Sequence, residues 1–186
     1  ESVQTVSAAL DELEQRHGIA AGSTRILALV SETAEAAISI PSYATASLPR
    51  LHGLVWGGED LSAALGASRK YDANGRWTDA FRFVRVQTLL TAHAKGLLPL
   101  DTLHADFADL AGLKRVAEEA RADGFAGMLA IHPAQVAVIN AAFTPSDAEL
   151  AEARAIVDAF AANPDAGALQ IDGRMIDRPH RSEEHT

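Results

Sequence analysis

The sequence predicts an α/β protein built on a parallel sheet. Two observations carry that expectation. Four short apolar runs have the length of buried strands, and amphipathic stretches of helical length separate them. Four βα units in a row fit half of a closed eight-stranded barrel and also fit an open doubly wound sheet, and the alternation alone does not choose between them.

The elements follow in order. Val3, Val6, Leu10 and Leu13 recur at helical spacing and Gly18 follows as a stop, so residues 2–17 are expected to form a helix. The run Arg25 to Val30 is the first strand, ending in Ser31-Glu32. Ala34 to Ile40 reads as a helix broken at Pro41, with a second short helix over 42–47. Leu51 to Trp56 is the second strand and runs into the glycine-rich loop Gly57-Gly58-Glu59-Asp60-Leu61. Residues 62–75 are small and polar, a loop with one helical turn. Thr78 to Lys95 is a long helix with Phe81, Val84, Thr88 and Ala92 on one face, closed by Gly96. Leu97 to Leu103 is the third strand. Leu110, Leu113, Val116 and Ala120 mark the next helix, with Gly124 just past its end. Gly127 to Ile131 is the fourth strand, ending in His132-Pro133, and Val136, Ile139 and Phe143 lie on the helix after it. Ser146 and Glu149 form a capping box before a last long helix with Leu150, Val157 and Phe160 inward. Residues 173–179 read as a polar tail segment.

Composition narrows the function classes. The chain has 186 residues, enough for a substantial core, and 48% of them are hydrophobic with only 5% aromatic. A formal net charge of −9 and the lack of any basic stripe interleaved with aromatics argue against nucleic acid as a partner. An anionic chain needs local positive charge to hold an anionic ligand. Cysteine is absent, so there is neither a disulfide framework nor a thiol nucleophile, which fits a cytoplasmic protein. No apolar run reaches the roughly 18 residues that span a membrane, and Glu1 to Gly18 reads as a polar helix rather than a signal peptide.

Two acidic residues stand out by position. Glu32 lies at the end of the first strand and Asp60 just past the end of the second, one βα unit apart. Successive strand ends of a parallel sheet lie side by side on one edge, so both carboxylates are placed to share a hard cation such as Mg²⁺, which takes one or two carboxylates and leaves its other positions to water and substrate oxygens. The other reading is that Glu32 caps the helix after it and Asp60 N-caps the next. His132 faces the same rim, as a substrate contact or as a brace for its turn. Gly57 and Gly58 either let backbone approach a ligand or simply make a tight turn. Arg69, Lys70 and Arg76 are candidates for phosphate contacts or for a solvated face, Glu59 reads as a supporting or surface charge, and Arg85 as structural. No Ser-His-Asp set or Walker loop can be assembled.

Four segments in order then point to a family. Ser31-Glu32-Thr33-Ala34-Glu35 resembles the "IETA" strand end of the citrate lyase β-subunit and malyl-CoA lyase family. Gly57 to Leu61, followed by Leu65-Gly66, resembles its "GxEDL…LG" loop. Gly124 to Gly127, then Ile131-His132-Pro133 and Gln135, resembles "GF.G…IHP.Q", and Asp172 to Asp177 resembles "DGKMID". The resemblance spans about residues 20–180. It implies the C-terminal half to two-thirds of a (β/α)₈ TIM barrel over residues 1–180 with a C-terminal helical extension. It implies Mg²⁺ held by Glu32 and Asp60, and an acid/base carboxyl at Asp177 supplied to a neighbouring subunit of a homo-oligomer, a trimer or hexamer. The implied reaction is carbon–carbon cleavage of a β-hydroxyacyl-CoA (malyl-CoA, citramalyl-CoA or a citryl thioester) to acetyl-CoA and an oxo acid. Mg²⁺ would act there as a Lewis acid, and a carboxylic acid raised toward neutrality by burial would protonate the acetyl-CoA enolate. A malyl-CoA thioesterase and an inactive CoA-ester-binding barrel fragment are the alternatives.

The family's earlier βα units, with their "LEDAV" strand and a substrate-binding arginine, are not in this chain. Arg181 to Thr186 fits nothing in the family and resembles the translation of a common sequencing adapter, so the expectation is a reading frame truncated at both ends, its natural sequence stopping near His180. The 186-residue chain by itself is expected to be inactive and poorly soluble; full turnover of a thioester by this chain with Mg²⁺ would overturn that.

Overall fold

The computed structural model describes residues 2–164, 166–171 and 173–177. Two compact units are described in turn, the first up to Phe143 and the second from Thr144.

The first unit is α/β. Its four strands, β1 (Ile26–Leu29), β2 (Leu51–Val55), β3 (Leu98–Asp101) and β4 (Gly127–Met128), are all parallel and stand in the order β1-β2-β3-β4. Chain order equals spatial order, so these strands contain no switch point of the kind that marks a doubly wound sheet. Around them lie α1 (Ser2–His17), α2 (Ala34–Ser39), α3 (Glu59–Leu65), α4 (Asp79–Lys95), α5 (Leu110–Ala122) and α6 (Pro133–Phe143).

Glycines end the helices where the sequence places them. In α4, Gly96 takes φ 68° while its N–H donates to His93 O and the Leu97 N–H donates to Ala92 O, both Schellman bonds. Gly124 does the same for α5, with Phe125 N–H donating to Ala120 O. The inner face of α4 is as expected: Phe81, Val84, Thr88 and Ala92 are buried, joined by Thr91. Other apolar positions are not. Leu110 and Val136 are exposed.

Two local expectations are corrected. The α-helix does stop ahead of Pro41, at Ser39, but the short helix after it is not 42–47: it is a 3₁₀ helix, Ile40–Ala44, with Pro41 as its second residue. The loop expected at Gly57 to Leu61 is already helical from Glu59, because Gly58 serves as N-cap and Glu59 and Asp60 form the acidic first turn that a helix N-terminus favours.

Register fixes which side chains share a face. Ala28, Leu54 and Pro99 are paired across the sheet and buried toward the helices. On the other face Leu27 and Leu98 flank Gly53, and a Cβ at Gly53 would lie 2.8 Å from Leu27 Cδ2 and 2.8 Å from Leu98 O, so only glycine fits. That second face remains partly open, with Leu27, Leu29 and Leu98 all exposed.

At the entry end of the sheet a buried charge cluster pins α1 down. Arg50, directly before β2, donates to Glu14 Oε1 at 2.8 Å, Glu14 Oε2 at 2.5 Å and Thr24 O at 3.1 Å, and also pairs with Asp11. Glu14 is 2% exposed and accepts the Gly22 and Thr24 N–H groups at 2.7 and 2.8 Å.

The second unit holds α7 (Asp147–Ala162) and an antiparallel hairpin of β5 (Ala168–Ile171) and β6 (Arg174–Asp177). The Ser146–Glu149 capping box forms as expected. Phe160 is buried, whereas Leu150 is exposed. The helical extension expected from the family resemblance is therefore a helix plus a hairpin, and within the segment 173–179 expected as a polar tail, Arg174–Asp177 is a strand. Alternation was hidden there by Gly173, which turns the hairpin at φ 78°. Asp172 and residues 178–186, including Arg181 to Thr186, lie outside the described residues.

The Arg50 contact, followed by two backbone N–H bonds, holds the Glu14 carboxyl well below the usual carboxylate range. A depressed folded-state value stabilises the fold above the ordinary glutamate value near ~4.3, and that stability is lost as pH falls. Thermal melts between pH 7 and 3 should therefore show the melting temperature dropping below about pH 5. The Glu14→Gln variant should melt lower at pH 7 and lose less on acidification.

Candidate active site

Parallel pairing brings the ends of β1 and β2 together, with Leu29 opposite Val55 and the Val30 N–H donating to Val55 O at 2.9 Å. One residue further the backbone bonding gives way to a side chain. Ser31 is fully buried; its Oγ accepts the Gly57 N–H at 2.8 Å and donates to Gly57 O at 3.1 Å. This double bond clips the two loops to each other. Glu32 is the next residue on one side, and Asp60 is three residues on along the other.

Both bland readings of these carboxylates fail on the geometry. Glu32 does not cap α2: Thr33 does, its Oγ1 accepting the Ala36 N–H at 3.1 Å. Asp60 does not cap α3, because Gly58 holds that position. Both side chains are exposed, and neither has a hydrogen-bond or ion-pair partner among the described residues. Two nearby acidic residues are engaged. Glu59 pairs with Lys70. Asp101, at the end of β3, is 2% exposed and accepts from Trp56 Nε1 at 2.5 Å, from the Thr102 N–H at 2.8 Å and from Arg85 Nε at 2.9 Å.

No group of three or more His, Cys, Asp or Glu side chains gathers as a closed metal cage among the described residues. Two free carboxylates on one rim fit an ion that keeps several positions for water and substrate, which is the habit of Mg²⁺ and not of structural zinc. Asp177 ends β6 opposite Ala168 in the second unit, and its side chain lies outside what the structure describes.

The remaining candidates settle into supporting roles. His132 Nδ1 accepts the Ala134 N–H at 3.2 Å and its ring stacks on Phe107 with centroids 5.0 Å apart, so it braces the start of α6. Gln135 is fully buried and ties two rim loops, accepting the Ile131 N–H at 2.8 Å and donating to His104 O at 3.0 Å. Arg85 is structural as expected, bonded to Asp101 and to Asp123 at 2.6 Å and lying 4.6 Å over the Phe125 ring.

Residues 66–78 are more ordered than a plain loop. Tyr71 bridges to Trp77, and Asp72 accepts the Asn74 and Arg76 N–H groups. Burial, followed by the Glu59 and Asp101 charges, pushes the Tyr71 phenol up to about 12.

Sequence reasoning missed Ser31, Trp56 and Asp101. The available signal was a polar residue at the end of each apolar run, Ser31 after Val30 and Asp101 after Leu100.

The Gly58 question is decided by packing. A Cβ there would sit 3.0 and 3.1 Å from Trp77 ring carbons and 3.6 Å from Trp56. Trp77 itself is wedged between Trp56 and Phe81, with centroids 5.0 and 5.7 Å away. Gly58→Ala should cost about 1–3 kcal/mol of stability in urea melts, together with a change in the near-ultraviolet tryptophan signal.

Comparison with known proteins agrees with this architecture. The family model described as HpcH/HpaI aldolase/citrate lyase matches residues 1–133. The citrate lyase subunit beta-like protein of Mycobacterium tuberculosis is 41% identical over 154 residues, 83% of this chain and 55% of its own length. The mitochondrial citramalyl-CoA lyase of Rattus norvegicus is 37% identical over 131 residues, 69% of this chain and 37% of its own. The crystal structure of CitE from Mycobacterium tuberculosis in complex with magnesium, acetoacetate and coenzyme A superposes with a TM-score of 0.72 at 37% identity, covering 86% of this chain and 57% of that one. The chain thus spans about half the length of the first of these relatives and less of the second. By the matched model and by these identities, the chain belongs to the HpcH/HpaI aldolase/citrate lyase family.

Proposed function

We propose that this chain is the C-terminal part of a Mg²⁺-dependent carbon–carbon lyase that cleaves a β-hydroxyacyl-CoA, such as malyl-CoA, citramalyl-CoA or a citryl thioester, to acetyl-CoA and an oxo acid. One observation carries the reading. Glu59 and Asp101 are paired, whereas Glu32 and Asp60, just past β1 and β2, are exposed carboxylates without a partner among the described residues, on segments joined by the Ser31–Gly57 hydrogen bonds. The magnesium and coenzyme A in the CitE structure support the same assignment.

A bound Mg²⁺ would supply Lewis-acid stabilisation of charge on the oxygens of the oxo-acid half. Glu32 and Asp60 would give it two anionic oxygens and leave its other positions for that half of the substrate. In the cleavage direction the hydroxyl of the substrate gives its proton to a water molecule as its carbon becomes the oxo carbon. The C–C bond breaks, and its electron pair passes to the carbon α to the thioester. The Asp177 carboxyl then delivers a proton to that carbon, giving acetyl-CoA; in synthesis its carboxylate removes the same proton.

The in-line strand order and the open apolar face with Leu27, Leu29 and Leu98 support a partial (β/α)₈ barrel, completed by βα units that lie earlier in the full-length protein. Asp177 is assigned to the site of a neighbouring subunit in a homo-oligomer.

The test is product analysis on the full-length protein with the three thioesters. Acetyl-CoA plus an oxo acid is the expected result; free CoA without an oxo acid points to a thioesterase and rejects the lyase reading. Glu32→Gln and Asp60→Asn should each lower kcat/KM by at least about 10²-fold and weaken Mg²⁺ binding. Asp177→Asn should lower kcat by about 10²–10⁴-fold while Mg²⁺ still binds.

A further inference from the structure

Asp101 is a charge buried where packing alone has no use for one. It ends β3, is 2% exposed, and spends every contact on holding other groups. Its Oδ2 accepts from Arg85 Nε at 2.9 Å and Nη2 at 2.7 Å, and Arg85 is anchored in turn by Asp123 at 2.6 Å and by the Phe125 ring. Its Oδ1 takes the Trp56 indole N–H at 2.5 Å. Burying a carboxylate costs free energy unless it is paired and hydrogen-bonded. Here the pairing is complete: Oδ1 also accepts the Thr102 N–H at 2.8 Å, and of its partners Trp56 is the one on β2's side of the site.

Trp56 is separated only by Gly57 and Gly58 from α3, whose first turn carries Asp60. It is fully buried, packs edge-on against Trp77 at 5.0 Å, and lies beneath Gly58. The next residue, Gly57, is the one that Ser31 clips to the Glu32 side. Between the sheet and Asp60 the chain is therefore fastened at two consecutive residues: through backbone at Gly57 and through the indole N–H at Trp56.

We propose that Asp101, held by Arg85, is a positioning residue for the metal site, fixing the Asp60 arm through Trp56. The proposal rests on the Mg²⁺ reading given above. Asp101 touches neither metal nor substrate; it sets the rotation of the β2 end, and hence where the Asp60 carboxylate stands relative to Glu32.

Two variants separate this from a purely structural role. Trp56→Phe removes the indole N–H and also shrinks a buried ring that packs on Trp77, so it is read beside the isosteric Asp101→Asn. Asp101→Asn keeps an acceptor for the indole and removes the charge facing Arg85. The readouts are amide hydrogen exchange of residues 57–61 without metal, and Mg²⁺ affinity by titration calorimetry well below the melting temperature. The expected result is faster exchange confined to residues 57–61, with α1 and β1 unchanged, and an Mg²⁺ dissociation constant raised about tenfold, more in Trp56→Phe than in Asp101→Asn. Variants that melt earlier yet keep wild-type exchange at 57–61 and wild-type Mg²⁺ affinity overturn the proposal alone. Wild-type protein that takes up no Mg²⁺ overturns the metal reading and the proposal with it.

Discussion

Parallel pairing of β1 with β2 decides which side chains of the first unit can meet. It sets Leu29 against Val55 and so carries Ser31 to Gly57 and Glu32 to the same rim as Asp60. Side chains alternate along a strand, so a slip of one residue turns every one of them to the opposite face. Such a slip in β2 would take Trp56 from the helix side, away from Asp101, and set another residue against Ser31. The register is held by the close fit around Gly53, where Leu27 and Leu98 leave no room for a side chain.

The charged residues divide sharply by what they do. At the entry end of the sheet, Arg50, Glu14 and Asp11 satisfy one another and the loop at 22–24. At the exit end, Arg85, Asp101 and Asp123 do the same between α4, β3 and the end of α5. The inner pairs, Arg50–Glu14 and Arg85–Asp101, contribute little net stability over an apolar core, but each fixes orientation, since any other arrangement leaves a charge unpaired in a poorly hydrated place; Asp11 and Asp123 join them from the exposed side. Glu32 and Asp60 are the opposite case. They keep their hydration and their lone pairs, which a hard cation needs from its ligands.

The two faces of the sheet also differ. The side with Ala28, Leu54 and Pro99 is closed by helices, and the side with Leu27, Leu29 and Leu98 carries exposed leucines. Parallel sheets are stable when both faces are covered. The proposed barrel would cover this exposed apolar face, so strand order and surface chemistry support the same proposal.

Much of this was legible in the residues. Helical spacing marked α1, α4 and α5, Gly96 and Gly124 marked where two of them stop, and Ser146 with Glu149 marked where α7 starts, because these signals depend on contacts within a few residues. The strand-end positions of Glu32 and Asp60 were legible for the same reason. The hairpin at 168–177 was not, since four-residue strands carry too little alternation to stand out and a cross-strand pair is invisible one strand at a time. Nor could sequence spacing assign Ser31 to Gly57, Trp56 to Asp101, or Gly58 to Trp77, which lie 19 to 45 residues apart. Residue spacing was enough to read the alternation of elements and to place Glu32 and Asp60 just past β1 and β2. Which polar side chains hold the rim, and which have no partner among the described residues, follows from the fold, because hydrogen-bond partners are chosen by distance in space once the parallel register is set.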